Sequence, residues 1–222
     1  MIESELWQTY TQAFPLLLKA CGITLGVSLV GIFCGLLFGT LFGALDCEKI
    51  SFKLLRPFLR FYIAIFRGTP LFVQLLIIYF ALPDALGIQL SPISAGIITL
   101  GLNSTAYLAE IVRAGINSID NGQWNACYIL GYSPISSLRF IILPQALRNV
   151  LPAITNELST LIKESSILMV IGVPELVKVS KDIVARNLKP LEIYLLTAIF
   201  YLLMTYLLAY CTKFFEKARA GN

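Results

Sequence analysis

The chain has 222 residues, of which 57% are hydrophobic, 14% are charged and none is histidine. That composition excludes intrinsic disorder and a single water-soluble domain, where about 45–50% of residues are apolar and about 25% charged. A net charge of +4 acquires meaning only once the charges are located, and the lack of histidine removes imidazole chemistry altogether.

The five cysteines (Cys21, Cys34, Cys47, Cys127 and Cys211) form no CxxC pair, so they read as core thiols, with neither a metal site nor a disulfide framework. No GxxxxGK[ST] run is present, so nucleotide binding is not expected on this chain. No cofactor is expected either. Met1 to Tyr10 carries Glu3 and Glu5 without a basic residue, which argues against a cleaved leader.

A helix needs about 20 largely apolar residues to cross a bilayer, and five segments qualify or nearly so. The first, about 17–45, includes 26 uncharged residues from Ala20 to Leu45. Gly22 and Gly26 are followed by Gly31, Gly35, Gly39 and Gly43 at fourfold spacing, a groove for another helix of this subunit or for a second subunit. The second segment, about 58–82, carries a single charge between Phe61 and Leu82, Arg67, beside the break Gly68-Thr69-Pro70. Arg67 there is either a snorkelling or structural residue or a gate. The third, about 87–112, is uncharged from Ala85 to Ala109 and ends in Glu110 and Arg113, a natural local pair.

From Ala114 to Leu147 the pattern changes. Trp124, Cys127 and Leu130, with Ala126 and Ile129 beside them, give one apolar face at helical spacing. Gly131 fits a helix end, and Ser133-Pro134 fits the cap and first turn of another helix, running through Leu138. A helix-turn-helix knob is expected over about 120–140. Arg139 is its one basic residue, a weak signature for lying on a membrane surface, so docking onto a protein is the expectation.

The fourth segment, about 143–171, is interrupted by Pro144 and Pro152. Asn156 and Glu157 lie about 12–14 Å along the helix from Arg148, close to the middle of a hydrocarbon core about 30 Å thick. A carboxylate at that depth must face protein, water or a cation, so the two form either a buried structural pair or a substrate contact. Lys163 and Glu164 precede Ser165-Ser166, where the helix is expected to break; they hold either an outer gate or the fold. The fifth segment covers about 191–212.

Short loops rich in Lys and Arg stay in the cytoplasm. Lys49, Lys53, Arg56 and Arg60 follow span one; Arg113, Arg139 and Arg148 lie between spans three and four; Lys213, Lys217 and Arg219 occupy the tail. The connection near Pro83 and Asp84 has no basic residue. The N-terminus is therefore expected outside and the C-terminus in the cytoplasm, with Lys178, Lys181, Arg186 and Lys189 as an exception diluted by Glu175, Asp182 and Glu192.

Gln123-Trp124-Asn125-Ala126-Cys127, then Gly131, then Ile141, Leu143 and Pro144 resembles the EAA loop of membrane subunits of bacterial ATP-binding-cassette importers. Its pattern is E-A-A, three residues, G, nine residues, I-x-L-P, and the spacing here is the same. Asn125 replaces the Glu and Cys127 the second Ala, departures that remove the carboxylate an ion pair with the ATPase would use. Further stretches resemble the polar amino-acid branch of that family: Arg67-Gly68-Thr69-Pro70 with Gln74, Ala106-Tyr107 with Ala109 to Ile116, Leu143 to Arg148, and Pro152 with Asn156-Glu157. Together they run over roughly Leu17 to Phe215.

The resemblance implies an all-α membrane protein, a single permease domain over 1–222 with five transmembrane helices and a cytoplasmic coupling loop. It also implies two ATPase subunits beneath, a second permease copy or a paralogue beside it, and an external solute-binding protein that delivers the amino acid. Gln123, Trp124, Asn125, Ala126, Cys127, Gly131, Ile141, Leu143 and Pro144 become the ATPase-coupling residues. Arg67, Gln74, Lys163 and Glu164 become gating or structural residues. Members resembling this chain at Asn156-Glu157 tend to carry arginine, lysine or histidine, which implies a basic amino acid, with glutamine or glutamate as the alternative. An ion-coupled carrier would show inverted repeats, and none is evident. A membrane enzyme lacks any histidine, acidic cluster or GxSxG to support it.

Overall fold

The structure, a computed structural model, describes residues 2–50 and 54–220, with side chains at 7, 9–50 and 54–212. Lys53 lies outside the described residues, as do the side chains of Glu3, Glu5, Lys213, Lys217 and Arg219. Every regular element described is helical. In order they are α1 (Ile2–Leu45), α2 (Arg56–Gly68), α3 (Leu71–Leu76), α4 (Leu82–Leu86), α5 (Pro92–Asn117), α6 (Asn121–Ile129), α7 (Pro134–Ser137), α8 (Leu143–Asn149), α9 (Leu151–Glu164), α10 (Leu176–Asn187) and α11 (Pro190–Ala220).

Among the described residues, three helical stretches are long and apolar enough to cross a membrane: Thr9–Leu45, Pro92–Asn117 and Pro190–Thr212. They correspond to the expected first, third and fifth spans. The expected second span is not one rod, because Arg56–Gly68 and Leu71–Leu86 meet at 106°. Pro70 has no N–H to donate to the carbonyl four residues back, and it holds Thr69 extended at φ −120° and ψ 146°. The expected fourth span is likewise subdivided into α8, α9 and a 3₁₀ stretch over Ser165–Ile171.

Prolines explain further irregularities. Single π turns occupy Ile77–Ala81 and Leu138–Ile142, closed by bonds from Leu82 N to the Ile77 carbonyl and from Leu143 N to the Leu138 carbonyl. Pro83 and Pro144 follow directly. Each lacks the N–H that an unbroken α-helix would use, and the wider turn absorbs the mismatch.

The chain forms two compact units. The first takes in the described residues through Val30, Leu75–Leu100 and those from Ser159 onward. Polar contacts join its helices. Glu175 caps α10 by accepting from Val177 N at 2.9 Å and Lys178 N at 2.7 Å, and also from the Tyr201 hydroxyl at 3.0 Å. Thr24 Oγ1 accepts from Leu176 N at 3.0 Å, and the Ser180 and Thr197 hydroxyls meet at 2.6 Å.

The second unit comprises Gly31–Gln74 and Gly101–Leu158. Here the glycine seam packs α1 on α5. A Cβ at Gly39 would fall 2.7 Å from Leu108 Cβ, and one at Gly43 only 2.5 Å from the Ala109 carbonyl oxygen. No side chain fits there, so the backbones approach as small-residue seams allow. This part of the groove serves packing within the subunit. Gly22 and Gly26 have open space beside them.

Candidate functional site

The knob is built from its caps inward. The Asp120 carboxylate accepts from Gly122 N at 2.7 Å and starts α6. α6 ends in a Schellman turn: Tyr132 N donates to the Cys127 carbonyl at 3.0 Å and Gly131 N to the Tyr128 carbonyl at 3.0 Å. Gly131 sits at φ +78°. Ser133 Oγ then accepts from Ser136 N at 3.2 Å and starts α7. Two capped short helices with a fixed turn make a stiff unit.

Its base is anchored by apolar packing. Trp124, Leu138, Ile142 and Ala146 are buried against Cys47 and Ile50 of the loop after α1, and against Val112 and Ile116 of α5. Ile141 and Leu143 pack on the same cluster half-buried. Lys49 Nζ donates to Asn121 Oδ1 at 2.5 Å and lies 5.8 Å from the centre of the Trp124 ring. Burial pushes the Cys47 thiol pKa up, outweighing the lowering influence of neighbouring backbone hydrogen bonds and of Arg56 and Lys49.

The outer surface corrects the expected apolar face. Trp124 and Cys127 point inward, but Ile129 and Leu130 do not; they are 81% and 73% exposed, and Tyr128 is 83% exposed. Ile135 on α7 extends the patch. A nine-residue helix has too few turns to bury both edges of a wide apolar stripe, so the stripe divides into an anchored half and a presented half. Gln123, Asn125 and Ala126 are exposed beside it, and Pro144 is exposed at the start of α8.

Beside the knob's base lies an ionic cluster centred on Asp46, a residue that none of the sequence expectations names. Asp46, 1% exposed, has Arg60 Nε at 3.0 Å, Arg113 Nε at 3.5 Å and Arg56 Nε at 3.7 Å from its carboxylate. Arg56 also donates to the Cys47 and Ile50 carbonyls at 2.6 and 3.1 Å. Glu110 pairs with Arg113 as expected, and Arg67 lies 3.9 Å from Glu110 with its guanidinium 5.4 Å from the Tyr107 ring centre. A cleft of about 460 Å³ opens between them, lined by Asp46, Glu48, Arg60, Arg67, Glu110 and Arg113. In the sequence, Lys49, Arg56 and Arg60 register only as topology signals. An aspartate ending a long uncharged run, followed by spaced arginines, is the available clue.

Gln74, buried, sits at the bend. Its Nε2 lies 2.8 Å from the Phe66 carbonyl and 3.1 Å from that of Thr69, and its Oε1 accepts from Asn103 Nδ2 at 3.1 Å. Gln74 and Arg67 thus both make their contacts within the second unit. On α9, Asn156 is exposed and Glu157 half-buried. Lys163, exposed, and Glu164, half-buried, belong to the first unit and are not brought into the second.

The chain is similar to known proteins over most of its length. Residues 31–220 match the family described as binding-protein-dependent transport system inner membrane component. The chain is 39% identical over 211 residues to the arginine transport system permease protein ArtQ of Bacillus subtilis (strain 168), with 94% of each covered. It is 37% identical over 212 residues to the glutamine transport system permease protein GlnP of Escherichia coli (strain K12), covering 95% of this chain and 96% of that one. The fold resembles a chain of a crystal structure of an amino acid ABC transporter with histidines, with TM-score 0.85, 36% identity and coverage of 95% and 97%. An inward-facing MetNI methionine ABC transporter shares the fold with TM-score 0.79 at 21% identity, covering 91% of this chain and 95% of that one. An all-helical inner-membrane chain with this match over most of its length belongs to the binding-protein-dependent transport system inner membrane component family.

Proposed function

We propose that the chain is the permease subunit of an ATP-driven amino-acid importer, and that the α6–α7 knob docks onto an ATPase subunit. The observation that carries this reading is the division of the knob: Trp124 is locked into the body, while Tyr128, Ile129 and Leu130 stand out from it. Large side chains presented on a rigid, capped support suit a protein partner that pushes on them. Asn125 leaves that contact without the carboxylate that most such loops bring, so apolar burial carries the docking.

In this reading two ATPase subunits bind from the cytoplasm, and a second permease copy or a paralogue completes the pathway. The N-terminus lies outside, the C-terminus lies inside, and the bent second segment and divided fourth segment complete five spans. An external binding protein delivers the solute. Asn156 and Glu157 on α9 contact it, and the carboxylate favours a cationic side chain, so the substrate is a basic amino acid. The relatives named for arginine and for glutamine mark the two outcomes to separate.

The test is reconstitution of the full chain with its ATPase and binding protein, followed by uptake of labelled arginine and glutamine. Arginine uptake that needs ATP, and that falls in Glu157→Gln at matched membrane levels, supports the assignment. Equal arginine uptake by wild type and variant removes Glu157 as the specificity residue. Uptake driven by an ion gradient without ATP overturns the importer reading.

A further inference from the structure

We infer that Asp46 is a positioning residue of coupled transport, the joint through which displacement of the knob reaches α2. The inference rests on the proposed docking of α6–α7 to the ATPase and goes beyond it, since Asp46 contacts neither the patch nor Asn156 and Glu157 in any bond described.

The packing runs inward from the knob through one buried apolar cluster. Trp124, Leu138 and Ile142 are buried against Cys47 and Val112. Cys47 is the neighbour of Asp46 in the chain, and Val112 is the neighbour of Arg113. A push on the knob therefore acts on both sides of the Asp46–Arg113 contact at once. Close packing passes displacement on, because apolar cores deform little.

Beyond that point the kind of contact changes. α2 meets this junction through arginines: Arg60 reaches Asp46 at 3.0 Å and Arg56 at 3.7 Å, and Arg56 also holds the Cys47 and Ile50 carbonyls. Three guanidiniums compete for one buried carboxylate, and Arg113 is shared with Glu110. A shared acceptor of this kind has alternative pairings, so a small shift can exchange partners without exposing an unpaired charge. The cleft beside it provides room for Arg60 and Arg67 to move. Further along α2 lies the 106° bend, so a changed hold on the first turn of α2 alters where that bend sits. A double-mutant cycle measures coupling of this kind directly.

The experiment uses the full chain reconstituted with its ATPase and binding protein, with arginine uptake and ATP hydrolysis measured in the same vesicles. Asp46→Asn keeps the shape and removes the charge. The expected result is an assembled complex with basal ATP hydrolysis retained and uptake per ATP reduced about tenfold. Arg60→Gln is expected to lower that ratio severalfold, and the double variant to match Asp46→Asn alone, because both act through one contact. A wild-type ratio in Asp46→Asn, or a double variant that loses the product of the two separate effects, overturns the inference. Should Asp46→Asn fail to assemble, Arg60→Gln decides, since its side chain is half-exposed and substitution there leaves the core packing intact: an unchanged ratio overturns the inference. Failure of the wild-type complex to take up amino acid with ATP would defeat the importer reading itself, a separate outcome.

Discussion

Gln74 donates to the Phe66 carbonyl oxygen at 2.8 Å, and so supplies the hydrogen that Pro70 lacks. In an unbroken helix residue 70 would bond that carbonyl; proline leaves it empty, and a side chain four residues further on fills the gap. Asn103 Nδ2 secures Gln74 from α5 at 3.1 Å. The bend is thus bonded rather than merely broken.

The first prediction tests that staple. Gln74→Leu preserves volume but leaves the Phe66 carbonyl and the Asn103 amide with only their long mutual contact of 3.4 Å, at a cost of about 1–3 kcal/mol. Amide exchange should accelerate across α3 and the end of α2, while α11 stays protected. Unchanged protection at Val73 and Leu75 would show that Pro70 alone sets the bend.

A second prediction separates two glycines of the same helix. Gly39→Val places a Cβ 2.7 Å from Leu108 Cβ in a backbone-to-backbone seam and should sharply lower the amount of folded subunit in the membrane. Gly22→Ala meets open space and should leave that amount unchanged or raise it, since alanine favours helix by about 1 kcal/mol. Thermal stability in detergent reads both. If Gly22→Ala lowers only the yield of assembled transporter, a second chain occupies that face.

The third prediction concerns the knob's turn. A Cβ at Gly131 meets no atom within 4 Å, so the constraint there is the backbone at φ +78° rather than space. Asparagine visits that region at lower cost than a β-branched residue. Gly131→Asn should retain most uptake, whereas Gly131→Val should lower uptake per ATP hydrolysed with the subunit still inserted. Equal uptake by the two variants would show that the turn need not be rigid.

Much of this is readable from the chain. Apolar run length locates the three long helices because crossing a bilayer demands length above all else. Gly131 and Ser133 mark the knob's turn because backbone geometry at caps is a local property. Two things are not readable. Periodicity flags Trp124, Cys127, Leu130 and Ile129 as one face, but whether each lies against the body or outside depends on what α5 and the loop after α1 bring to it. Asp46 is no more than hinted at, for a related reason. Its three arginines come from α2 and α5, and pairing with partners as distant in the chain as Arg113 leaves no local pattern.

The last prediction reads the closure of the knob's base through Cys47. The thiolate is the nucleophile toward maleimides, and burial raises the Cys47 pKa above the ordinary thiol range. Two consequences follow with the same sign. In a background where the other four native cysteines are replaced, Cys47 should label about 100-fold more slowly at pH 7.5 than the thiol that Tyr128→Cys adds to the exposed patch, since both access and thiolate fraction are reduced. As pH rises, the exposed thiol should reach its plateau near its ordinary pKa of about 8.5. The Cys47 rate should still be climbing at that point, because a raised pKa moves the plateau to higher pH. Trp124→Ala removes the largest side chain of the cluster and loosens it by about 3–5 kcal/mol. It should speed Cys47 labelling while leaving the labelling rate of the exposed thiol in the Tyr128→Cys variant unchanged. Rapid labelling of Cys47 in the unmodified cluster would mean that the base is open, and a knob so loosely held could not transmit a push.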